Sequence, residues 1–105
     1  MEFVETPTFT RLVMSLMSDE DYAEMQLTLA RRPEMGKIIP GSGGIRKMRW
    51  AGSGRGKRGG LRVIYYWQVS ADQIWMLLAY PKNKRDDLTA DQTKQLKQLV
   101  KQFTS

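Results

Sequence analysis

Leu61-Arg62-Val63-Ile64-Tyr65-Tyr66-Trp67-Gln68-Val69, then Ser70-Ala71-Asp72, then Gln73-Ile74-Trp75-Met76-Leu77-Leu78-Ala79-Tyr80: two apolar, β-branched and aromatic runs flank a three-residue connection. Runs of this composition are strands, and a link this short makes them hairpin neighbours. Immediately upstream, residues 51–60 hold five glycines. Glycine at that density costs too much backbone entropy inside an element, so the segment reads as a loop. Before it, Ile45 to Trp50 reads as a further strand with cations at 46, 47 and 49. Residues 33–44 are a Pro- and Gly-punctuated connection from which Ile38 and Ile39 are expected to dock onto the core.

Further out, helices are expected at both ends. Thr6-Pro7 has the form of an N-cap followed by proline at the first helical position, with Phe9, Leu12, Val13 and Leu16 at helical spacing. Ser18 caps a second helix whose first turn carries Asp19, Glu20 and Asp21, where the helix dipole favours acids. Tyr22, Met25 and Leu29, with Leu27 beside them, are expected to form its apolar face, and Pro33 ends it. After a polar loop from Pro81 to Asp87, Thr89 and Gln92 have capping-box spacing, and Leu96, Leu99, Val100 and Phe103 mark a third helix. Glu2 to Glu5 alternates as a short strand. The order is β-α-α-β-β-β-α, an α+β fold with a small antiparallel sheet, two N-terminal helices and one C-terminal helix in a single domain of residues 1–105.

Composition narrows the chemistry. The 105 residues include no cysteine and no histidine, which excludes disulfides, thiolate zinc sites, serine–histidine hydrolysis and imidazole acid–base catalysis. No apolar run is long enough to span a membrane. The net charge of +6 is unevenly spread. Residues 1–34 hold seven acids against three bases, whereas residues 35–71 hold eight Lys or Arg and no acid. Such segregation implies a cationic face that attracts a polyanion, and nucleic acid fits better than a membrane because no basic amphipathic helix carries these charges. The plainer reading is a solvated basic surface without a partner.

Strand alternation places Lys47 and Arg49 on one face of Ile45–Trp50, and Arg46 with Met48 and Trp50 on the other. Arg62 opens an apolar strand with no acid in its segment, so an anion is a natural partner. Arg55, Lys57 and Arg58 in the glycine loop read as a basic flap, or else as charge that keeps a long hairpin loop soluble. The loop does not fit the phosphate-cradling G-x-x-x-x-G-K-[ST] pattern, because a strand and not a helix follows it. Lys82, Asn83 and Lys84 leave the last strand and add to the basic set. The three tryptophans and the methionines read as packing residues, and Asp19, Glu20 and Asp21 as helix-start charges with no metal role.

These strings resemble a known family. Gly43-Gly44-Ile45-Arg46-Lys47-Met48-Arg49, Arg58-Gly59-Gly60-Leu61-Arg62-Val63-Ile64-Tyr65-Tyr66 and Tyr80-Pro81-Lys82-Asn83, in this element order, are similar to the RelE/ParE superfamily of type II toxin–antitoxin toxins, most closely its HigB-like branch. The resemblance implies a cytoplasmic, ribosome-dependent endoribonuclease, an mRNA interferase that inhibits translation. It also implies a cognate antitoxin, the ribosome and mRNA as partners, with no membrane, metal or small-molecule cofactor. By motif position it carries catalytic roles to Lys47, Arg49, Arg62 and Lys82. The basic and polar residues around them, Arg46, Arg55, Lys57, Arg58, Asn83 and Lys84, are the expected RNA contacts. Leu88 stands near where relatives place a tyrosine. No histidine is present, and the hypothesis for proton transfer is that Lys47 or Lys82 acts as general base or acid, its charged form disfavoured by neighbouring cations. Other readings are a ParE-like gyrase poison, a non-catalytic nucleic-acid-binding module, and an inactive toxin retained for antitoxin binding.

Overall fold

The computed structural model describes residues 1–51, 60–84 and 87–104. Strand β1 (Glu2–Glu5) leads into helices α1 (Pro7–Leu16) and α2 (Asp19–Arg31). Strands β2 (Lys37–Ile38), β3 (Ile45–Trp50), β4 (Leu61–Gln68) and β5 (Gln73–Pro81) follow, and helix α3 (Ala90–Thr104) closes the order. The fold is α+β, and the β4–β5 hairpin lies at its centre as the sequence implies, within the sheet order β1-β5-β4-β3-β2.

Two features depart from the expected all-antiparallel sheet. β1 runs parallel to β5, with Phe3 opposite Ile74 and Glu5 opposite Met76, so the sheet is mixed. The α1–α2 hairpin carries the chain from one sheet edge to the other, and this lets β1 share the direction of β5. The second feature is β2, a strand too short to show any period, which pairs Lys37 with Lys47 and Ile38 with Arg46. The turn behind it needs glycine at Gly41, Gly43 and Gly44, all at positive φ. Buried Ser42 stitches that turn together: its Oγ accepts from the Ile45 N–H at 3.0 Å and donates to the Ile39 carbonyl at 2.6 Å.

Local capping agrees with the sequence. The Thr6 hydroxyl accepts from the Phe9 N–H, Ser18 from that of Asp21, and Thr89 and Gln92 bond each other's N–H groups reciprocally at 2.9 and 3.1 Å. The sheet separates two apolar clusters. On one face α1 and α2 bring Phe9, Val13, Met25 and Leu29 onto Met48, Val63, Tyr65, Ile74 and Met76. On the other, α3 lays Leu96, Val100 and Phe103 against Ile45, Ile64, Leu77 and Tyr80. Phe103 stacks on Trp75 at 4.1 Å between ring centroids. Ile39 joins the α3-side cluster as expected, but Ile38 is 54% exposed because β2 lies at the open edge of the sheet.

One irregularity matters for the site. Ile64 pairs with Leu78 and Tyr65 with Met76, so Leu77 is an extra residue in β5, a β-bulge. Its carbonyl accepts a 3.0 Å hydrogen bond from buried Thr6 Oγ1, while the Thr6 N–H donates to the Met76 carbonyl at 3.1 Å. The residue that caps α1 therefore also secures the bulge. Among the described residues, no helix is long and apolar enough to cross a membrane.

Candidate nucleic-acid interface

The α3 side of the sheet collects the cations. On β3, Lys47 and Arg49 share their face with buried Ile45, as strand alternation requires. Arg49 pairs with Arg62 on β4, and Arg62 pairs with Tyr80 on β5, so Arg49, Arg62 and Tyr80 form one row across three strands. The next row runs Lys37, Lys47, Ile64, Leu78. Arg62 is only 2% exposed and Tyr80 7%, whereas Arg49 is exposed. Like charges directly opposite in a sheet repel, and burying a guanidinium is costly. A site that must hold a phosphodiester gains two preorganised cations.

Lys47 makes an ion pair with the Asp87 carboxylate, joining β3 to the segment that precedes α3. Lys82 is held at the same end of the sheet: its backbone N–H donates to the Gly60 carbonyl at 3.2 Å, one residue before β4 begins. Lys82, Asn83 and Lys84 lie in an exposed turn. Lys47, Arg49 and Arg62 are thus brought together, and Lys82 stands at the edge of their group.

Arg46 is not part of that group. It lies on the other face, where its guanidinium donates to the Glu34 and Gly36 carbonyls at 3.0 and 2.7 Å. Its cross-strand neighbour Tyr65 fixes the same turn, accepting from the Gly36 N–H at 2.8 Å and donating to the Pro33 carbonyl at 2.7 Å. Burial pushes the Tyr65 phenol above its ordinary pKa. Arg46 has a structural duty here, one that sequence does not reveal because its partners are main-chain carbonyls. Arg55, Lys57 and Arg58 lie outside the described residues.

Sequence reasoning missed three things. Tyr80 joins the site through its register with Arg62, and an unforeseen bulge governs that register. Asp87 reads as a loop acid yet pairs with Lys47. A groove of about 690 Å³ lies between Lys37–Gly41, Lys47 and the segment from Asp87 to Lys97, and it brings Lys94 and Lys97 of α3 to the same face. The charge pattern of residues 35–71 signals a cationic face but reaches none of Tyr80, Asp87, Lys94 or Lys97.

A family model described as the RelE toxin of the RelE/RelB toxin–antitoxin system matches residues 8–105. The chain belongs to the RelE toxin family. As a RelE-family toxin it is one half of a toxin–antitoxin pair, and membership implies an antitoxin partner. The match extends over both helical layers and four of the five strands, so the cationic row lies within the part shared with the family.

Proposed function

We propose that this toxin is an endoribonuclease that cuts messenger RNA on the translating ribosome and so halts translation in the cytoplasm. Its Gly43–Arg49 and Arg58–Tyr66 strings favour the HigB-like branch of the family. The observation that carries the reading is the Arg49–Arg62 pair, two arginines facing each other on one surface of the sheet with Lys47 one row away.

RNA supplies its own nucleophile. The 2′-oxygen attacks the adjacent phosphorus and loses its proton to a base. The bond from phosphorus to the 5′-oxygen breaks, and that oxygen takes up a proton, leaving a 2′,3′-cyclic phosphate and a 5′-hydroxyl. Arg49 and Arg62 are placed to bind the scissile phosphate and offset charge growing on its oxygens, for which preorganised guanidinium donors are well suited. Lys47, already engaged in an ion pair with Asp87, fits electrostatic support better than proton removal. Proton transfer then falls to Lys82 or the Tyr80 phenol, assisted by the ribosome's alignment of the message.

The test is to add the protein to a reconstituted translation system and map message ends by primer extension, with and without ribosomes. Cuts confined to translated message are the expected result. Intact message with unimpeded translation refutes the reading and directs attention to gyrase supercoiling.

A further inference from the structure

We propose that the groove between β2, β3 and the start of α3 is a phosphate-binding subsite for single-stranded RNA, engaging the nucleotides next to the cut through Lys37, Lys94 and Lys97. The proposal rests on the endoribonuclease reading and extends it to residues outside the cationic row. Those three lysines and Lys47 line the groove together with Asp87, the one carboxylate there among the described residues, which pairs with Lys47. Lys37, Lys94 and Lys97 make no ion pair with any described carboxylate, so their charge is available to a ligand.

The groove is also continuous with the site. Lys37 sits opposite Lys47 in the sheet, and Lys47 is two residues from Arg49 on the same strand face, a step of about 6.6 Å. A polyanion lying on the Arg49–Arg62 row therefore meets a second set of cations one short step along its own backbone. Ile38 and Pro40 add exposed apolar surface against which ribose and base edges can pack. An acidic polypeptide would satisfy the lysines as well, but it would not account for the continuity with paired arginines suited to a phosphodiester.

The test measures binding of a fluorescein-labelled oligouridylate of about twelve nucleotides by anisotropy across a salt series, in the absence of ribosomes. Each lost phosphate contact lowers the slope of log K against log salt by about 0.7 for a single strand. The full chain carrying Lys94→Gln and Lys97→Gln together is expected to lose about 1.4 from that slope. Lys37→Gln, made separately, is expected to lose about 0.7. Arg11→Gln on α1, across the sheet, leaves the slope unchanged, and circular dichroism confirms that every variant is folded.

Unaltered slopes in the groove variants overturn the proposal, as does an equal fall in Arg11→Gln or a wild-type chain that does not bind. Displacement of the probe by polyglutamate that depends on the groove lysines, with RNA slopes unchanged, assigns the groove to an acidic polypeptide and overturns it too. Ribosomal cleavage is scored separately. Intact message with the expected slopes refutes the nuclease and keeps the subsite, whereas cleavage with unaltered slopes does the reverse.

Discussion

Arg62 faces Arg49 across the β3–β4 ladder while 98% of its surface is withdrawn from solvent, and Tyr80 faces it from the other side. The strands that carry this row are otherwise the apolar centre of the protein. The placement sets a charge-binding requirement against a packing preference, and the first prediction separates the two.

Arg62→Met keeps most of the side-chain volume and removes the charge. Message cleavage in the translation assay is expected to fall by about 10²–10³-fold, the typical cost of losing one preorganised transition-state donor. The variant should still be folded at the assay temperature, with a measurable thermal midpoint, since methionine keeps most of the packed stem volume. A collapse of both quantities would mark Arg62 as a structural residue.

Tyr65 and Gly36 supply the second. A Cβ on residue 36 would sit 2.9 Å from the Tyr65 ring and hydroxyl, closer than real contacts allow. Gly36→Ala is expected to cost about 1–3 kcal/mol in urea denaturation through overpacking. Tyr65→Phe should cost a similar amount, about 1–3 kcal/mol, because the buried Gly36 N–H and Pro33 carbonyl lose their partner.

The third concerns alkaline pH. Burial raises the phenols of both Tyr22 and Tyr65, and for Tyr22 the hydrogen bond to the Glu5 carboxylate at 2.5 Å adds to the shift. The unfolded chain loses these protons near pH 10 while the folded chain keeps them. The unfolded state then binds fewer protons, so stability is full below about pH 10 and falls as pH rises beyond it. Tyrosinate absorbance should show a late phase coinciding with unfolding, and Tyr22→Phe and Tyr65→Phe should each reduce its amplitude.

Asp87 provides the fourth. Its pair with Lys47 is largely exposed on the acid's side, so Asp87→Asn should change stability by about 1 kcal/mol or less. The same change removes the one acid that lines the groove among the described residues. Oligouridylate binding at low salt is therefore expected to tighten several-fold, and unchanged or weaker binding would count against a polyanion on this face.

Much of the fold is legible in the sequence alone. The capping residues Thr6, Ser18 and Thr89, the hairpin and the alternation of Lys47 and Arg49 against Met48 follow from short-range rules, and the structure agrees. What escaped depends on pairing between distant segments. The parallel partnership of β1 with β5 has no local signature, and a two-residue strand such as β2 carries no period. Arg46 and Arg62 are both strand arginines far from any acid in sequence, and only the fold shows that one holds a turn while the other lies in the cationic row. Tyr80 went unrecognised for a related reason, since strict alternation from Met76 would turn it toward α1 and α2.

That last point reaches back to Thr6. The additional residue at Leu77 reverses the phase of β5, and without it Ala79 would occupy the place beside Arg62 that Tyr80 now fills. A single hydroxyl near the start of the chain, bonded to the carbonyl of that residue, thus guards the identity of an aromatic neighbour some seventy positions away. Thr6→Val is expected to register twice: as a loss of about 1–2 kcal/mol in denaturant from the missing cap, and as a change in the Tyr80 environment that Thr6→Ser does not produce. The composition of the cationic face is in this sense a matter of counting, decided by one residue inserted into a largely buried strand.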